Sequence, residues 1–194
     1  MNILDTGVKQ VKNVGRYTIG SDALGNINDF LRERLTDEKS YVVFFVDEFF
    51  KSKPLVVNKL PIAQTDKLIY LDTSTEPTVE SIDDLMRELR NWQQHPPAAL
   101  VAMGGGATMD ICKAVANLFA NEGSAASYQG WDLVKNPGVF KVAIPTLSGT
   151  GAEATRTCVM TNKKTGLKLG MNSDHTVFDV VVMDPELSAT VPRN

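Results

Sequence analysis

The sequence predicts an α/β protein with a doubly wound parallel sheet and a β-hairpin near its carboxyl end. Short apolar runs alternate along the chain with stretches of helical periodicity, which is typical of parallel sheets with helices on both faces. The runs are continuous, short, and β-branched or aromatic, which favours strands buried on both faces. Later the pattern changes to two alternating segments, 155–160 and 166–171, joined by a polar stretch, which indicates a hairpin.

Five strands and three helices are predicted around that hairpin. The clearest strand is 41–46, a continuous apolar run, and the clearest helix is 78–92, where apolar residues recur at helical spacing until Pro96 and Pro97 stop it. The stretch 121–138 is polar and contains glycine, so a surface loop is expected there. The other predicted strands are 67–71, 98–103, 139–144 and 177–183, and the other predicted helices are 21–35 and 107–120.

The composition excludes several classes of function. The 194 residues carry a net charge of −3 and their 20 lysines and arginines are dispersed, so no nucleic-acid partner is expected. No apolar run approaches the roughly 20 residues that cross a bilayer. The amino terminus also lacks a signal peptide, so a cytoplasmic protein without a membrane partner is expected. Cys112 and Cys158 have no companion pair for a zinc site or a disulfide framework.

A glycine turn follows the predicted strand 98–103. Gly104, Gly105 and Gly106 have no Cβ atom, so the backbone can approach a ligand closely and adopt positive φ. The helix that follows offers unpaired N–H groups and the positive end of its dipole to a phosphate. Asp110, in its first turn, is expected to cap free amides. A tight turn without a ligand is the alternative if these glycines are taken alone.

A second loop, rich in hydroxyl groups and glycine, follows the predicted strand 139–144. Its residues 145–151 (PTLSGTG) can supply hydrogen bonds to a ribose or a pyrophosphate. Taken alone, an elaborate turn before the hairpin is the alternative. Two such loops at the carboxyl ends of parallel strands face one edge of a sheet, which is where open α/β folds bind ligands. The two loops together therefore indicate a phosphate-containing ligand.

Four segments in order resemble the iron-containing (group III) alcohol dehydrogenase family over essentially the whole chain. Residues 104–110 (GGGATMD) are similar to the family's GGGSxxD, and residues 144–153 (IPTLSGTGAE) to its IPTTxGTGSE. Residues 166–170 (GLKLG) and 183–187 (MDPEL) resemble its later KxG and DPxL segments. The resemblance implies a dehydroquinate synthase-like domain, residues 1–194, that binds NAD as one half of an alcohol dehydrogenase.

The resemblance also implies roles for individual residues. Asp47, at the end of strand 41–46, would lie near the adenosine ribose, where a carboxylate accepts hydrogen bonds from the 2′-hydroxyl and favours NAD over NADP. A solvated loop acid is the alternative. Lys168 would approach the nicotinamide ribose. The residues that would surround the pyrophosphate are Gly104, Gly105, Gly106, Ala107 and Asp110, and those that would line the nucleotide from the facing loop are Thr146, Leu147, Ser148 and Thr150.

Some positions depart from the family pattern. Ala107 and Ala152 stand where the family has serine, so each loses a hydroxyl donor near the phosphates. Glu76 stands in Glu-Pro-Thr where the family often has Asn-Pro-Thr. The residues Leu147, Ala152 and Glu76 are closer to the family's sugar-acid dehydrogenases, such as the enzyme that oxidises C8 of 3-deoxy-manno-octulosonate. A small alcohol, such as the primary alcohol of a sugar acid, is therefore the candidate substrate.

In the family, an Asp and three His of a following helical domain bind Fe(II) or Zn(II), and this chain is expected to stop before that domain. His95 and His175 have no partner at ligand spacing and are expected at the surface. The metal would acidify the bound alcohol for hydride transfer to NAD. The full-length parent is expected to be a homodimer, whereas this chain alone is expected to bind NAD weakly and to have no dehydrogenase activity.

Two alternative functions remain open from the sequence. A dehydroquinate synthase-like lyase also binds NAD beside a metal, and a stand-alone NAD-binding module would need no catalytic half. Within the stretch 121–138, Tyr128 and Trp131 could shape the mouth of the cleft, although packing at the surface is the better explanation.

Overall fold

The computed structural model describes residues 12–189 and residue 191, and their main feature is a six-stranded sheet. All neighbouring strands of this sheet run parallel. A smaller three-stranded sheet lies beside it. The strands are β1 (Arg16–Ile19), β2 (Val42–Asp47), β3 (Lys67–Leu71), β4 (Ala99–Gly104), β5 (Gly130–Trp131), β6 (Phe140–Pro145), β7 (Thr157–Asn162), β8 (Leu167–Asn172) and β9 (Val180–Met183). The large sheet has the order β1-β9-β6-β4-β2-β3, and the small one β5-β8-β7.

Helices cover both faces of the large sheet. On one face α3 and α4 pack against Val43 and Phe45 of β2, and on the other face α1 and α2 pack against Phe44 and Val46. Alternate residues of one strand thus belong to opposite cores, as the period of two requires. The predicted doubly wound parallel sheet is confirmed. The α-helices are α1 (Ile27–Arg32), α2 (Pro54–Val57), α3 (Val79–Trp92) and α4 (Gly106–Ala120), and 3₁₀ helices occupy Ala23–Asn26, Glu48–Ser52, Ala125–Tyr128, Asp174–Thr176 and Pro185–Ser188.

Helix α3 shows why these segments form where they do. The Thr78 side chain accepts a hydrogen bond from Ser81 N at 3.1 Å, and Ser81 Oγ accepts one from Thr78 N at 3.1 Å, which closes a capping box. The apolar stripe that predicts the helix includes Ile82 and Leu89, each 1% exposed. The predicted bounds 78–92 therefore agree with the structure, with Thr78 as the cap.

The predicted hairpin is also confirmed. Its first strand, β7, begins at Thr157, two residues after the predicted start at 155. β7 and β8 pair antiparallel from Thr157–Asn172 to Asn162–Leu167, and Gly166 takes a φ of 70° in the turn. The sulfur-bearing residues Cys158, Met160 and Met171 pack into the same core as α4. The hairpin therefore docks on the helix that follows the glycine turn.

Three predictions about the elements need correction. The stretch 121–138 is not simply a surface loop, because it contains a 3₁₀ helix and β5. In addition, the buried Asn121 side chain at its start is hydrogen-bonded to the backbone of Asn136 near its end. The last strand begins at Val180 rather than at 177, after a 3₁₀ helix. The predicted helix 21–35 is a 3₁₀ helix followed by the short α1. In the described residues, no helix has the length and apolar character to cross a membrane.

Candidate functional site

The candidate site lies where the direction of strand connections reverses. After β2 the chain continues to β3 at one edge of the sheet, whereas after β4 it continues towards β6 on the other side. Val46 is paired with Met103, so Asp47 lies beside Gly104 at the carboxyl ends of these neighbours. A crevice at such a reversal is the usual ligand site of open α/β sheets. The structure thus brings Asp47 and the glycine turn together, as predicted from the strand ends.

The facing loop joins the same edge from β6. Thr146 N donates a hydrogen bond to Gly104 O at 3.0 Å, so the first residue of this loop extends the β4–β6 pairing. Thr146 is buried, whereas Leu147, Ser148 and Thr150 are exposed. Three strand ends in a row therefore carry the three predicted parts of the site.

The glycine turn is packed so closely that side chains have little room. A Cβ atom added at residues 104, 105 and 106 would lie 2.4 Å from Thr108 Oγ1, 3.3 Å from Leu147 Cδ1 and 3.1 Å from Thr150 Cγ2, respectively. Cβ atoms almost never approach below 3.0 Å, so the first position tolerates only glycine without a shift of its neighbours. The glycine turn therefore lies against the facing loop at Gly105 and Gly106, and it is hydrogen-bonded to the loop at Gly104.

The sequence argument for these glycines was wrong about the dihedral angle. None of residues 104–106 has positive φ. Positive φ occurs instead in the facing loop, at Gly149 (129°) and Gly151 (64°). L-residues rarely adopt that region, so glycine at these two positions serves the conformation of the loop. At the glycine turn, in contrast, glycine is required because neighbouring side chains leave little room for a Cβ atom.

The amino terminus of α4 has free hydrogen-bond donors. Gly105 occupies the cap position without a side-chain partner, and the first helical bond runs from Met109 N to Gly105 O at 3.1 Å. The amides of residues 106–108 therefore precede the helical hydrogen-bond pattern and have no partner within it. They carry the positive end of the dipole of a 15-residue helix. This end of α4 is suited to an anion such as a phosphate.

Asp110 does not cap these amides, contrary to the prediction. It is the fifth residue of α4, and its Oδ2 accepts a hydrogen bond from Val159 N of β7 at 3.1 Å. Burial raises the pKa of this carboxyl to about 6, although the Val159 N–H and the charges of Lys113 and Lys168 lower it in part. Asp110 thus joins α4 to the hairpin through the Val159 N–H.

A polar cleft of about 370 Å³ opens beside Asp110. It brings together four predicted residues: Ala107, Asp110, Thr150 and Lys168. Lys168 on β8 forms an ion pair with Glu76, which joins the hairpin to the segment before α3. The remaining lining residues are Thr73, Ser74, Thr75, Glu76, Pro77 and Val159.

A second, apolar cleft of about 400 Å³ lies on the other side of the glycine turn. The predicted residues Asp47, Thr146 and Leu147 line it, whereas Ser148 lines neither cleft. Asp47 Oδ1 accepts a hydrogen bond from Phe49 N at 2.9 Å, and Oδ2 accepts one from Thr73 Oγ1 at 2.7 Å. Each oxygen keeps a lone pair for a further donor. The other residues of this cleft are Phe49, Phe50, Leu187 and Val191.

Sequence reasoning missed two groups of residues at this edge. The hydroxyl-rich residues 73–75 line the polar cleft. The signal for them was present, since only Asp72 separates them from the end of the strand 67–71. Phe49 and Leu187 line the apolar cleft. Leu187 belongs to the segment 183–187 that resembles the family's DPxL, but no pattern assigned either residue to the site. Their role depends on how distant segments meet.

The remaining candidates lie away from the two clefts. His95 is exposed and His175 half-buried, and the described residues contain no group of three or more His, Cys, Asp or Glu placed to hold a metal ion. Trp131 is 72% exposed on β5, and Tyr128 donates a hydrogen bond from its hydroxyl to Glu122 O at 2.5 Å. Neither aromatic residue lines either of the two clefts, so the alternative in which they shape the cleft mouth is not supported.

Known proteins are similar to this chain in sequence and in fold. Residues 15–185 match the family profile described as iron-containing alcohol dehydrogenase. Sulfoacetaldehyde reductase of Bilophila wadsworthia is 35% identical over 124 residues, which are 64% of this chain and 31% of that protein. The NAD-dependent methanol dehydrogenase of Bacillus methanolicus is 29% identical over 177 residues, which are 90% of this chain and 45% of that protein.

A solved structure extends the comparison. The sulfoacetaldehyde reductase from Bifidobacterium kashiwanohense, crystallised in complex with NAD+, superposes with a TM-score of 0.81 and 26% identity over 96% of this chain and 48% of that one. The present chain spans less than half the length of each of these three relatives. Since the family profile covers most of the sequence and the fold agrees, the chain belongs to the iron-containing alcohol dehydrogenase family.

Proposed function

We propose that this chain binds NAD(H) along the carboxyl edge of its large sheet, as the nucleotide-binding half of an NAD-dependent alcohol dehydrogenase. The observation that carries the proposal is the amino terminus of α4, which no side chain caps and which faces the second loop across the crowded glycine turn. Its amides and dipole attract a pyrophosphate. The NAD complex of the structural relative supports the proposal.

The dinucleotide is proposed to span both clefts, because the glycine turn lies between them. Gly104 adjoins Asp47 of the apolar cleft, and Gly106 adjoins Thr150 of the polar cleft. The adenosine half would occupy the apolar cleft, with Asp47 at the ribose. The nicotinamide half would occupy the polar cleft, near Lys168. This order agrees with the roles that the family resemblance implies for Asp47 and Lys168.

The proposed reaction is hydride transfer between a small alcohol and NAD, or its reverse from an aldehyde. NAD supplies the hydride acceptor, and the residues of this chain would bind and orient it. The names of the relatives, a sulfoacetaldehyde reductase and a methanol dehydrogenase, support a small-molecule alcohol or aldehyde as substrate. A sugar acid is a narrower proposal that rests on Leu147, Ala152 and Glu76. No observation favours a lyase or a stand-alone module.

The metal that the family name implies does not fit the described residues, which offer no donor cluster for it. We propose that Fe(II) or Zn(II) is held by a helical domain distinct from the nucleotide-binding domain 1–194. The complete protein is proposed to be a cytoplasmic homodimer.

Titration of NADH into the purified chain tests the binding proposal. A saturable change in nicotinamide fluorescence and a rise in melting temperature are expected, with a Kd below about 1 mM. Folded protein that shows neither change at several millimolar NADH would overturn the proposal.

The preference for NAD over NADP is tested by Asp47→Asn. The variant keeps an oxygen that can accept from Phe49 N but loses the charge that repels a 2′-phosphate, so the ratio of NADPH to NADH affinity is expected to rise about tenfold. Asp72→Asn is a matched control, because Asp72 also follows a strand and accepts from the amide two residues later at 2.9 Å. An unchanged ratio in Asp47→Asn, or an equal rise in both variants, would contradict the role of Asp47.

A further inference from the structure

Lys113 is a fully buried cation outside the two clefts. It lies in the second turn of α4 and has 0% exposure. Its Nζ donates hydrogen bonds to the carbonyl oxygens of Ala152 (2.5 Å), Thr155 (2.8 Å) and Thr157 (2.9 Å). A fourth acceptor, Thr155 Oγ1, lies at 3.1 Å. All four acceptors are uncharged and belong to one short segment, 152–157, between the facing loop and β7.

This arrangement requires a cation. Burying an ammonium group costs free energy unless hydrogen bonds compensate for the lost water. Burial accordingly lowers the pKa of Lys113. In return, the charge stabilises three carbonyl dipoles that point at one place and would otherwise repel each other. The Phe178 ring, whose centroid lies 5.4 Å from Nζ, adds a further favourable contact. The ammonium therefore holds a backbone path that a neutral side chain would not hold.

Lys113 is the third of three contacts that one face of α4 makes with the same stretch of chain. Gly106, Asp110 and Lys113 are spaced by four and three residues, so they share a helix face. Thr150 lies so near to Gly106 that a Cβ atom there would be 3.1 Å from its Cγ2, and Asp110 accepts from Val159 N. Lys113 binds the segment between these two points. The face thus fixes residues 150–159 relative to the helix whose first turn carries the free amides.

We propose that Lys113 is a positioning residue for the nucleotide site. Its buried ammonium sets the distance between the facing loop and the amino terminus of α4, and so controls NAD(H) affinity without touching the dinucleotide. This inference rests on the proposed function. A simpler role, that of satisfying buried carbonyls for stability alone, predicts a loss of stability without a separate loss of affinity.

Lys141 provides the matched comparison. It is also a buried lysine, 3% exposed, and burial also lowers its pKa. However, its Nζ lies 3.7 Å from Asp179 Oδ2 near the start of β6. Thr146 lies five residues further along the chain than Lys141, which is about 17 Å at roughly 3.3 Å per residue. Loss of this cation should affect stability and leave the loop in place.

The test compares NADH binding and melting temperature in Lys113→Met and Lys141→Met. Both variants are expected to melt at lower temperature than the parent chain. The Kd for NADH is expected to rise at least tenfold in Lys113→Met and to stay within twofold in Lys141→Met. A folded Lys113→Met with unchanged Kd, or an equal rise in both variants, would overturn the role of Lys113 and leave the proposed function intact. A parent chain that does not bind NADH would overturn both.

A measurement on the parent chain covers the case in which Lys113→Met does not fold. Buried ammonium groups exchange protons slowly enough to be seen by ¹⁵N–¹H NMR. Among the described residues Lys113 and Lys141 are the buried lysines, so a signal is expected from each. The Lys141 signal is assigned by its loss in Lys141→Met. Saturating NADH is expected to shift the Lys113 signal and slow its exchange, while the Lys141 signal stays unchanged. A Lys113 signal whose chemical shift and exchange rate do not change on addition of NADH would overturn the inference.

Discussion

Individual glycines at the candidate site differ in what a side chain would disturb. A Cβ atom at Gly104 would meet Thr108 and, at 3.0 Å, Asp47 Cβ, so it would press on the residues of the site itself. A Cβ atom at Gly105 would meet only the end of the flexible Leu147 side chain. The same substitution is therefore expected to have different consequences at adjacent positions.

We predict that Gly104→Ala lowers the free energy of unfolding by about 1–3 kcal/mol, as overpacking does, and weakens NADH binding. Gly105→Ala is expected to cost less than about 1 kcal/mol. Gly25→Ala is the control, since nothing lies within 4 Å of a Cβ atom there and its φ is not positive. Urea unfolding and NADH titration of the three variants test the order, and equal effects at the three positions would contradict it.

The carboxyl of Asp110 should make stability depend on pH. Its pKa of about 6 lies above the ordinary 3.8, so the folded chain binds this proton more tightly than the unfolded chain does. The resulting stability is present below about pH 4 and is lost as the pH rises through 6. Relative to the parent, Asp110→Asn is therefore expected to gain about 1–3 kcal/mol between pH 4 and pH 8, measured by urea unfolding.

The control for this prediction is Asp72, whose pKa is shifted in the opposite direction. Hydrogen bonds from Ser74 lower the pKa of the exposed Asp72 carboxyl, so its stabilising effect is lost as the pH falls. Relative to the parent, Asp72→Asn should thus lose stability as the pH rises. A pH-independent difference for Asp110→Asn would show that its carboxyl is not perturbed.

Among the elements, those with strong local patterns could be predicted from sequence and those held by distant partners could not. Strand β3 agrees with the predicted 67–71, and α3 with 78–92. In contrast, β1 has four residues at the edge of the sheet and β5 has two, and neither has a periodicity of its own. Both exist because β9 and β8 supply their hydrogen bonds.

The same limit applies to the site. Asp47, the glycine turn and the facing loop could be placed at one edge, because the ends of parallel strands necessarily meet there. The bond from Val159 N to Asp110 could not be foreseen, since it depends on how the hairpin docks on α4. For the same reason, nothing in the sequence indicated that Lys113 points at the segment 152–157.

The ion pair that joins β8 to the segment before α3 should matter for binding and little for stability. The side chains of Lys168 and Glu76 are 53% and 60% exposed, and such pairs contribute about 0–1 kcal/mol. Lys168→Met is expected to change the free energy of unfolding by less than about 0.5 kcal/mol and to weaken NADH binding several-fold. Lys164→Met, in the exposed hairpin turn, should change neither. Unaltered NADH binding in Lys168→Met would remove Lys168 from the site.

For the molecule as a whole, the sheet separates two cores that depend on adjacent residues of β2. Phe44 and Phe45 are both 0% exposed and belong to opposite cores. Replacement of either by alanine is expected to lower the free energy of unfolding by about 3–5 kcal/mol. Phe49→Ala, at a side chain 58% exposed, should cost less than about 1 kcal/mol. Chemical denaturation of the three variants tests this, and a small effect at Phe44 or Phe45 would mean that one core is loosely packed.

The pairing of β1 with β9 has a consequence for biosynthesis. Arg16 is paired with Val180, which the ribosome adds 164 residues later. At a synthesis rate of about 5–20 residues per second, β9 is completed on the order of 10–30 s after β1. Before β9 is present, β6 is an edge strand of the nascent sheet, and its unpaired N–H and C=O groups can bind strands of other chains. The nascent chain is therefore expected to benefit most from chaperones in the interval after β6 and before β9 has emerged from the ribosome.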